Sequence, residues 1–319
     1  MGIAVVRPPV ELRDCPVCGK SGPEILVQLP AKRFCDLNWT YRRDFSQVLG
    51  IGDDQPFPIV ECSSCRFVYS GLVLDPQFLE AVYERVIEAE KGMLESFKPE
   101  WVAHQFRLAA LFVEDLSTVF PHEEKLAILD YGCGYGTLTR ALSSPRVRCV
   151  GFETSQRCID YLCSSGIAVA SNLDELQTQG PFHGAILSDV LEHVVNPAEV
   201  LRTCHRLLVR GGVLCVNVPN FSSKVLRNTL ASVEKGESFT RGLNPWEHLN
   251  YFSPGALKNL VRSAGFVLRR PVGPVDVGLR YGFRRWKRVR NAVASGARLL
   301  RHVVGLPPET TTLVAQKGD

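Results

Sequence analysis

Four cysteines stand in two tight pairs, Cys15-Pro16-Val17-Cys18 and Cys62-Ser63-Ser64-Cys65, with 43 residues between the pairs. A Cys-x-x-Cys turn presents both thiolates to one side of an ion, so two such turns supply the ligands of a tetrahedral zinc site. A closed four-thiolate set leaves no open coordination position, and the expected role of the metal is to organise the fold. Cys35 lies between the pairs as a weaker fifth candidate. The six cysteines from Cys133 onward read as small buried residues without thiol chemistry of their own.

A second constellation points to a nucleoside. The loop Asp130-Tyr131-Gly132-Cys133-Gly134-Tyr135-Gly136 follows a β-rich run at 126–130, and a second run at 146–153 ends in Glu153. Glycines let the backbone turn tightly and approach a ligand, and a carboxylate at that place accepts hydrogen bonds from two ribose hydroxyls. The glycine spacing is G-x-G-x-G with an acid two residues ahead. Asp130 would be unfavourable beside a pyrophosphate but suits the ammonium end of S-adenosylmethionine, which makes the methyl donor a better fit than a nicotinamide dinucleotide.

The elements that must position these residues divide into three regions. Residues 1–75 hold the cysteine pairs and are expected to form a small zinc-ribbon-like module. Residues 76–122 carry apolar residues at helical spacing, broken near Lys98-Pro99, and read as a helical connector. From 123 to 319, short runs at 126–130, 146–153, 167–170, 182–188 and 213–219 alternate with helical intervals. Such alternation predicts an α/β fold, a parallel sheet with helices on both faces, in which ligands bind beyond the carboxyl ends of the strands.

Ile128-Leu129-Asp130-Tyr131-Gly132-Cys133-Gly134-Tyr135-Gly136, Gly151-Phe152-Glu153, Asn172-Leu173, Ser188-Asp189-Val190-Leu191-Glu192-His193-Val194 and Gly211-Gly212 occur in an order that resembles the class I S-adenosylmethionine-dependent methyltransferases. The resemblance covers roughly 125–316. It implies a Rossmann-like seven-stranded sheet with an antiparallel last strand, for which 265–270 and 311–316 are the sixth and seventh strands. It also implies that Asp130, Gly132, Cys133, Gly134 and Gly136 hold the methionine moiety, Glu153 the ribose, and Asn172 with Leu173 the adenine, with Ser188 and Asp189 beside the cofactor. His193 follows the fourth strand and could be read as a catalytic base; the alternative, which is favoured, is that Glu192 and His193 open the next helix and pack or cap the loop.

After the fifth strand, 221–253 forms a long stretch read as a substrate lid. It ends in Pro245-Trp246-Glu247-His248-Leu249-Asn250-Tyr251-Phe252-Ser253, with Ser253 as the expected N-cap of a helix beginning at Pro254. His248 is the candidate base, with Glu247 as its electrostatic partner, because imidazole titrates near neutrality; the alternative is a His-Glu pair that anchors the lid. The Glu-His-Leu-x-Tyr-Phe segment resembles that of zinc-binding deoxysugar C-methyltransferases, which use a Glu-His pair near the sugar. The tyrosine that family places shortly before the glutamate is not matched by Asn244 or Pro245, so the broader group of bacterial methyltransferases with a zinc-ribbon front end is the nearer comparison.

Residues 277–305 form a basic insertion: from Arg280 to Arg301 it carries eight arginines and lysines interleaved with apolar residues and no acid. Such a segment could lie on anionic lipid or bind the phosphate of a nucleotide- or lipid-linked sugar, or be a solvated helix packed on the sheet domain. The net charge of +4 over 319 residues is too mild to indicate a nucleic-acid partner. No signal peptide is recognisable at the start of the sequence, and the cysteines fit a reducing, cytoplasmic setting. The expected activity is therefore methyl transfer to a small acceptor, plausibly a sugar or other natural-product hydroxyl or carbon. RNA or protein methylation docked by the zinc module, and a non-catalytic cofactor-binding scaffold, are the competing readings.

Overall fold

The computed structural model describes residues 12–37, 41–72, 74, 76–235, 243, 245–270 and 310–318. The cysteine region contains β1 (Glu24–Pro30), α1 (Ala31–Leu37), α2 (Phe45–Leu49), β2 (Pro56–Glu61) and β3 (Val68–Ser70). Next come α3 (Pro76–Ala81), a π-helical turn over Val82–Val86, α4 (Ala89–Ser96) and α5 (Pro99–Val119). Pro99 opens α5 where its missing N–H is harmless, which explains the break at Lys98-Pro99.

Strands and helices then alternate: β4 (Leu126–Tyr131), α6 (Thr137–Leu142), β5 (Val147–Phe152), α7 (Gln156–Ser164), β6 (Val169–Ala170), α8 (Leu173–Gln179), β7 (Phe182–Ser188), α9 (Pro197–Leu207) and β8 (Leu208–Pro219). The described chain closes with α10 (Ser223–Glu234), β9 (Asn250–Tyr251), α11 (Pro254–Ser263), β10 (Phe266–Arg269) and β11 (Thr310–Lys317).

Seven strands form one sheet in the order β10-β11-β8-β7-β4-β5-β6. Neighbours from β8 through β6 are parallel, and β11 runs antiparallel to both β8 and β10. Both faces are covered, so Leu129, Ile128, Leu187, Ile186, Leu214 and Val216 are buried. Chain order reverses between β4 and β7, and a crevice opens at their carboxyl ends.

The second sheet has the order β1-β2-β3-β9, all antiparallel. Its fourth strand comes from the far end of the 221–253 stretch, so the sheet that carries the cysteine turns is not self-contained within 1–75. Trp246 is fully buried against Tyr41, Phe45 and Phe57, with ring centroids 6.0, 5.2 and 5.3 Å away. Aromatic burial of this kind contributes about 3–5 kcal/mol when judged by truncation to alanine.

Other expectations change in detail. The 221–253 stretch contains α10 and β9 rather than loop throughout. Glu192 and His193 do not open a helix: residues 191–193 form a turn, and α9 begins at Pro197, capped by Asn196, whose Oδ1 accepts the Glu199 N–H at 3.1 Å. β8 starts at Leu208, before the Gly211-Gly212 pair, because Gly211 at φ +73° allows a bulge between the Phe182–Leu208 and Gly184–Val213 pairs. Ser253 does cap α11, its Oγ accepting the Ala256 N–H at 3.2 Å. The whole 277–305 insertion, with its basic segment at 280–301, lies outside the described residues, as does all of 271–309.

Candidate active site

The carboxyl end of β4 delivers Asp130 into the crevice, and the glycine loop turns from it into α6. Gly132 and Gly136 have φ of +72° and +73°, and a Cβ at Gly132 would stand 2.8 Å from Val190 Cγ2. Asp130 is 2 % exposed and accepts a hydrogen bond from Thr139 Oγ1 at 2.6 Å. Burial pushes its carboxyl up to about 7, against the opposing pull of Thr139. A cavity here is lined by Asp130, Gly132, Cys133, Gly134, Ser188 and Asp189, and also by Ser96, Trp101, Gln105, Tyr135, Thr137 and Leu138.

Glu153, at the end of β5, accepts the N–H groups of Gly134 at 2.8 Å, Thr154 at 2.7 Å and Ser155 at 2.9 Å. The carboxylate is thus aimed at the glycine loop and keeps acceptor capacity for a hydroxyl. Asn172 and Leu173 stand beyond the end of β6 and do not line the cavity described. The Asn172 side chain caps α8 by accepting the Glu175 N–H at 2.9 Å, and Leu173 is 43 % exposed.

Beyond β7 the chain assembles a second cluster. Asp189 adopts φ +56°, a strained left-handed conformation for a residue with a side chain, and its N–H donates to the Asn217 carbonyl at 2.8 Å. Burial raises its carboxyl to about 6, while Ser188 and Asn217 oppose the shift. Three residues on, Glu192 is 2 % exposed, and neither of its carboxylate oxygens has a hydrogen-bond partner among the described residues. Burial, with Asp189 nearby, pushes this carboxyl well above the usual range.

His193 packs edge-on against His248, with ring centroids 4.7 Å apart. Its Nδ1 lies 2.8 Å from the Glu247 carbonyl oxygen and 3.0 Å from the Tyr83 hydroxyl. A carbonyl only accepts, so Nδ1 carries the proton and Nε2 keeps its lone pair. Burial, reinforced by His248, lowers the His193 pKa to about 3, leaving a neutral imidazole. One ligating atom from each of Glu192, His193 and His248 lies within 4.8 Å of the others. Glu247 Oε2 accepts the Tyr41 hydroxyl proton at 2.6 Å.

The four cysteines converge although their pairs are far apart in sequence. All four Sγ atoms lie within 4.8 Å of one another, with Cys15–Cys65 at 3.6 Å and Cys18–Cys62 at 3.5 Å. These separations are too long for disulfides and match the edge of a zinc tetrathiolate, about 3.8 Å for Zn–S bonds of about 2.3 Å. Each turn is completed by a left-handed residue, Gly19 at φ +72° and Arg66 at φ +60°.

Asp130, Gly132, Cys133, Gly134, Ser188 and Asp189 are therefore brought together at one crevice, with Glu153 adjoining the loop; Gly136, which faces Leu162 and Ile167, and Asn172 and Leu173 do not line that cavity. His248 and Glu247 sit by the turn that follows Asp189. Sequence reading missed Tyr41, Tyr83 and Gln105. Gln105 is 2 % exposed, lines the cavity, and its Oε1 has no described partner. Tyr83 and Gln105 occupy ordinary helical positions in the region read as connector, Tyr41 stands at an isolated bridge to Ile87 in the region read as module, and only the π-helical turn, which local sequence does not announce, aims Tyr83 at His193.

The chain matches the family model described as Methyltransferase domain over residues 101–270, more than half its length. It is 28 % identical over 179 residues to a ubiquinone biosynthesis O-methyltransferase of Cereibacter sphaeroides strain KD131, a span of 53 % of this chain and 69 % of that protein. A ubiquinone biosynthesis O-methyltransferase of Maricaulis maris is 29 % identical over 161 residues, covering 47 % of this chain and 62 % of the relative. Among solved structures, a SAM dependent methyltransferase from Archaeoglobus fulgidus aligns with 18 % identity and a TM-score of 0.40, covering 66 % of this chain and 94 % of that one. With the glycine loop, its acid and the seven-stranded sheet already in place, the matched model settles the family: this chain belongs to the methyltransferase domain family and is an S-adenosylmethionine-dependent methyltransferase.

Proposed function

We propose that the protein transfers the methyl group of S-adenosylmethionine to a small-molecule acceptor, a hydroxyl or acidic carbon of a sugar or other natural product. The observation that carries this reading is the placement of the His193–His248 pair beside the turn that leaves Asp189, at the same end of the sheet as the glycine loop. The cofactor supplies an activated methyl on sulfonium sulfur. Asp130 and the loop from Gly132 to Gly136 bind its methionine end, Glu153 its ribose, and Asn172 with Leu173 its adenine, while Ser188 and Asp189 close the side of the crevice.

His248 acts as the base that removes the acceptor proton, and Glu247 orients the segment that holds it. His193, held neutral by burial, packs edge-on against His248 and flanks it on the side of the 191–195 turn. Methyl transfer is an in-line displacement, so the remaining work of the protein is to hold the two reactants together. The relatives named as O-methyltransferases support a hydroxyl acceptor. The sulfur separations support zinc bound by Cys15, Cys18, Cys62 and Cys65 in a structural role.

The decisive experiment is calorimetric titration with S-adenosylmethionine and separately with NAD, with Glu153→Ala as control. Binding of the methyl donor alone, weakened by the substitution, is expected, followed by turnover on hydroxylated or nucleotide-sugar acceptors that His248→Ala abolishes. Near-normal turnover by His248→Ala at every pH would remove the base from this scheme.

A further inference from the structure

Arg13 lies two residues before the first zinc-ligand candidate, yet its side chain is spent on the other half of the molecule. The residue is 7 % exposed. Nη1 donates to the Leu249 carbonyl at 3.2 Å, and Nη2 donates to the Val195 carbonyl and to Asn250 Oδ1 at 3.3 Å. Among the described residues no carboxylate pairs with it; the other neighbour is the Tyr69 ring, 5.7 Å from the guanidinium carbon to the centroid. A buried cation satisfied by neutral acceptors is costly to disturb, because breaking those bonds leaves a desolvated charge.

The three acceptors belong to two segments that meet nowhere else in sequence. Val195 follows the turn that bears Glu192 and His193, whereas Leu249 and Asn250 follow Glu247 and His248 directly. The two segments are also stitched to each other. The Leu249 and Asn250 N–H groups donate to the Glu192 carbonyl at 2.6 and 3.0 Å, and Asn250 Nδ2 donates to the carbonyls of Leu191 at 2.8 Å and Val194 at 2.7 Å. Asn250 has both its amide donors committed to the turn, and Arg13 occupies its oxygen.

We propose that Arg13 is a positioning residue for the acceptor half of the site: it fastens the His193 turn to the Glu247–Asn250 segment, making their alignment depend on the folded cysteine module. The assignment of these side chains to the acceptor rests on the function proposed above; the fastening itself does not. Arginine suits the task because its planar fork addresses several acceptors at fixed angles, whereas a lysine ammonium is a single point donor.

The test uses the full zinc-loaded chain and the variants Arg13→Met and Arg13→Lys, each checked for metal content and for a cooperative thermal transition. Hydrogen exchange followed by mass spectrometry on a fragment spanning 246–252 is expected to speed up about tenfold or more in Arg13→Met and less in Arg13→Lys. Fragments from β4 and β7 should exchange as in the wild type. S-adenosylmethionine affinity should stay within about twofold, while kcat on the acceptor falls at least about tenfold. Unchanged exchange at 246–252 in a folded Arg13→Met protein would overturn the proposal. Faster exchange with unchanged acceptor kinetics would leave the fastening intact and instead refute the assignment of this cluster to the acceptor. If Arg13→Met fails to fold, Arg13→Lys carries the same two readouts, and wild-type exchange and kinetics in that variant would overturn the requirement for a guanidinium.

Discussion

The Tyr41 hydroxyl donates a hydrogen bond to Glu247 Oε2 at 2.6 Å, joining residues 206 positions apart. Tyr41 is 1 % exposed and sits against Trp246, so the phenol is rigidly held where it meets the carboxylate. The acid next to the proposed base is thereby fixed from the cysteine module. Where the sugar C-methyltransferases place a tyrosine shortly before the glutamate, this chain brings a phenol to it from a distant segment.

Tyr41→Phe keeps the ring and deletes one hydrogen bond to a charged group. A stability loss of about 1.5–3 kcal/mol is expected in urea denaturation. Methyl-donor affinity should not change, whereas kcat on the acceptor should fall; an unaltered kcat would show that Glu247 works without the phenol.

Cys62→Ser, or prolonged exposure to a strong zinc chelator, would remove a ligand or the ion from the proposed zinc site. Because β9 pairs with β3 in the same sheet, the damage should reach Trp246 and shift its fluorescence to the red. Turnover should be lost while S-adenosylmethionine still binds the seven-stranded domain, and re-addition of zinc to the chelated wild type should restore both signals.

Asp130 gives a pH signature. Its folded pKa, about 7, lies above the ordinary value of 3.8, so the folded state holds this proton more tightly than the unfolded chain. Its contribution to stability is complete below about pH 4 and is lost as pH rises through about 7. Asp130→Asn should flatten the pH dependence of unfolding across that window. The cationic cofactor favours the ionised form, so binding near pH 6 should release a proton, seen as a calorimetric enthalpy that varies with buffer; a buffer-independent enthalpy would contradict the predicted contact.

Gly132→Ala places a Cβ 2.8 Å from Val190 Cγ2 on a residue at φ +72°. Left-handed strain alone costs about 1–2 kcal/mol, and the contact adds to it. Gly134→Ala, at φ +52° with no heavy atom within 4 Å, should pay only the strain. The Gly132 variant is therefore expected to melt lower than the Gly134 variant, a difference measured directly by calorimetry.

The sheet was legible because its information is local: buried β runs, glycines that tolerate positive φ, and acids just beyond strand ends recur within a few residues of one another. Asp130 and Glu153 follow directly from that grammar, and Asp189 from the resemblance to the family. The cysteine pairs were legible for the same reason, since thiol spacing within a turn is set by covalent geometry. The 221–253 stretch, read as a lid, holds the 12-residue α10 and the two-residue β9, and the pairing of β9 with β3 is a long-range contact that its own sequence does not carry.

What the sequence by itself determined is the kind of fold, the glycine loop with the acid ahead of it, and the two paired cysteine turns. Tertiary structure alone decided that Tyr41 meets Glu247, that His193 meets Tyr83 and His248, that Arg13 meets Val195, Leu249 and Asn250, and that Trp246 and Asn250 serve as anchors. Those contacts arise where β9 joins the cysteine sheet and the 191–195 turn docks beneath it. Packing between segments dozens to hundreds of residues apart sets them, and no periodicity along the chain records it.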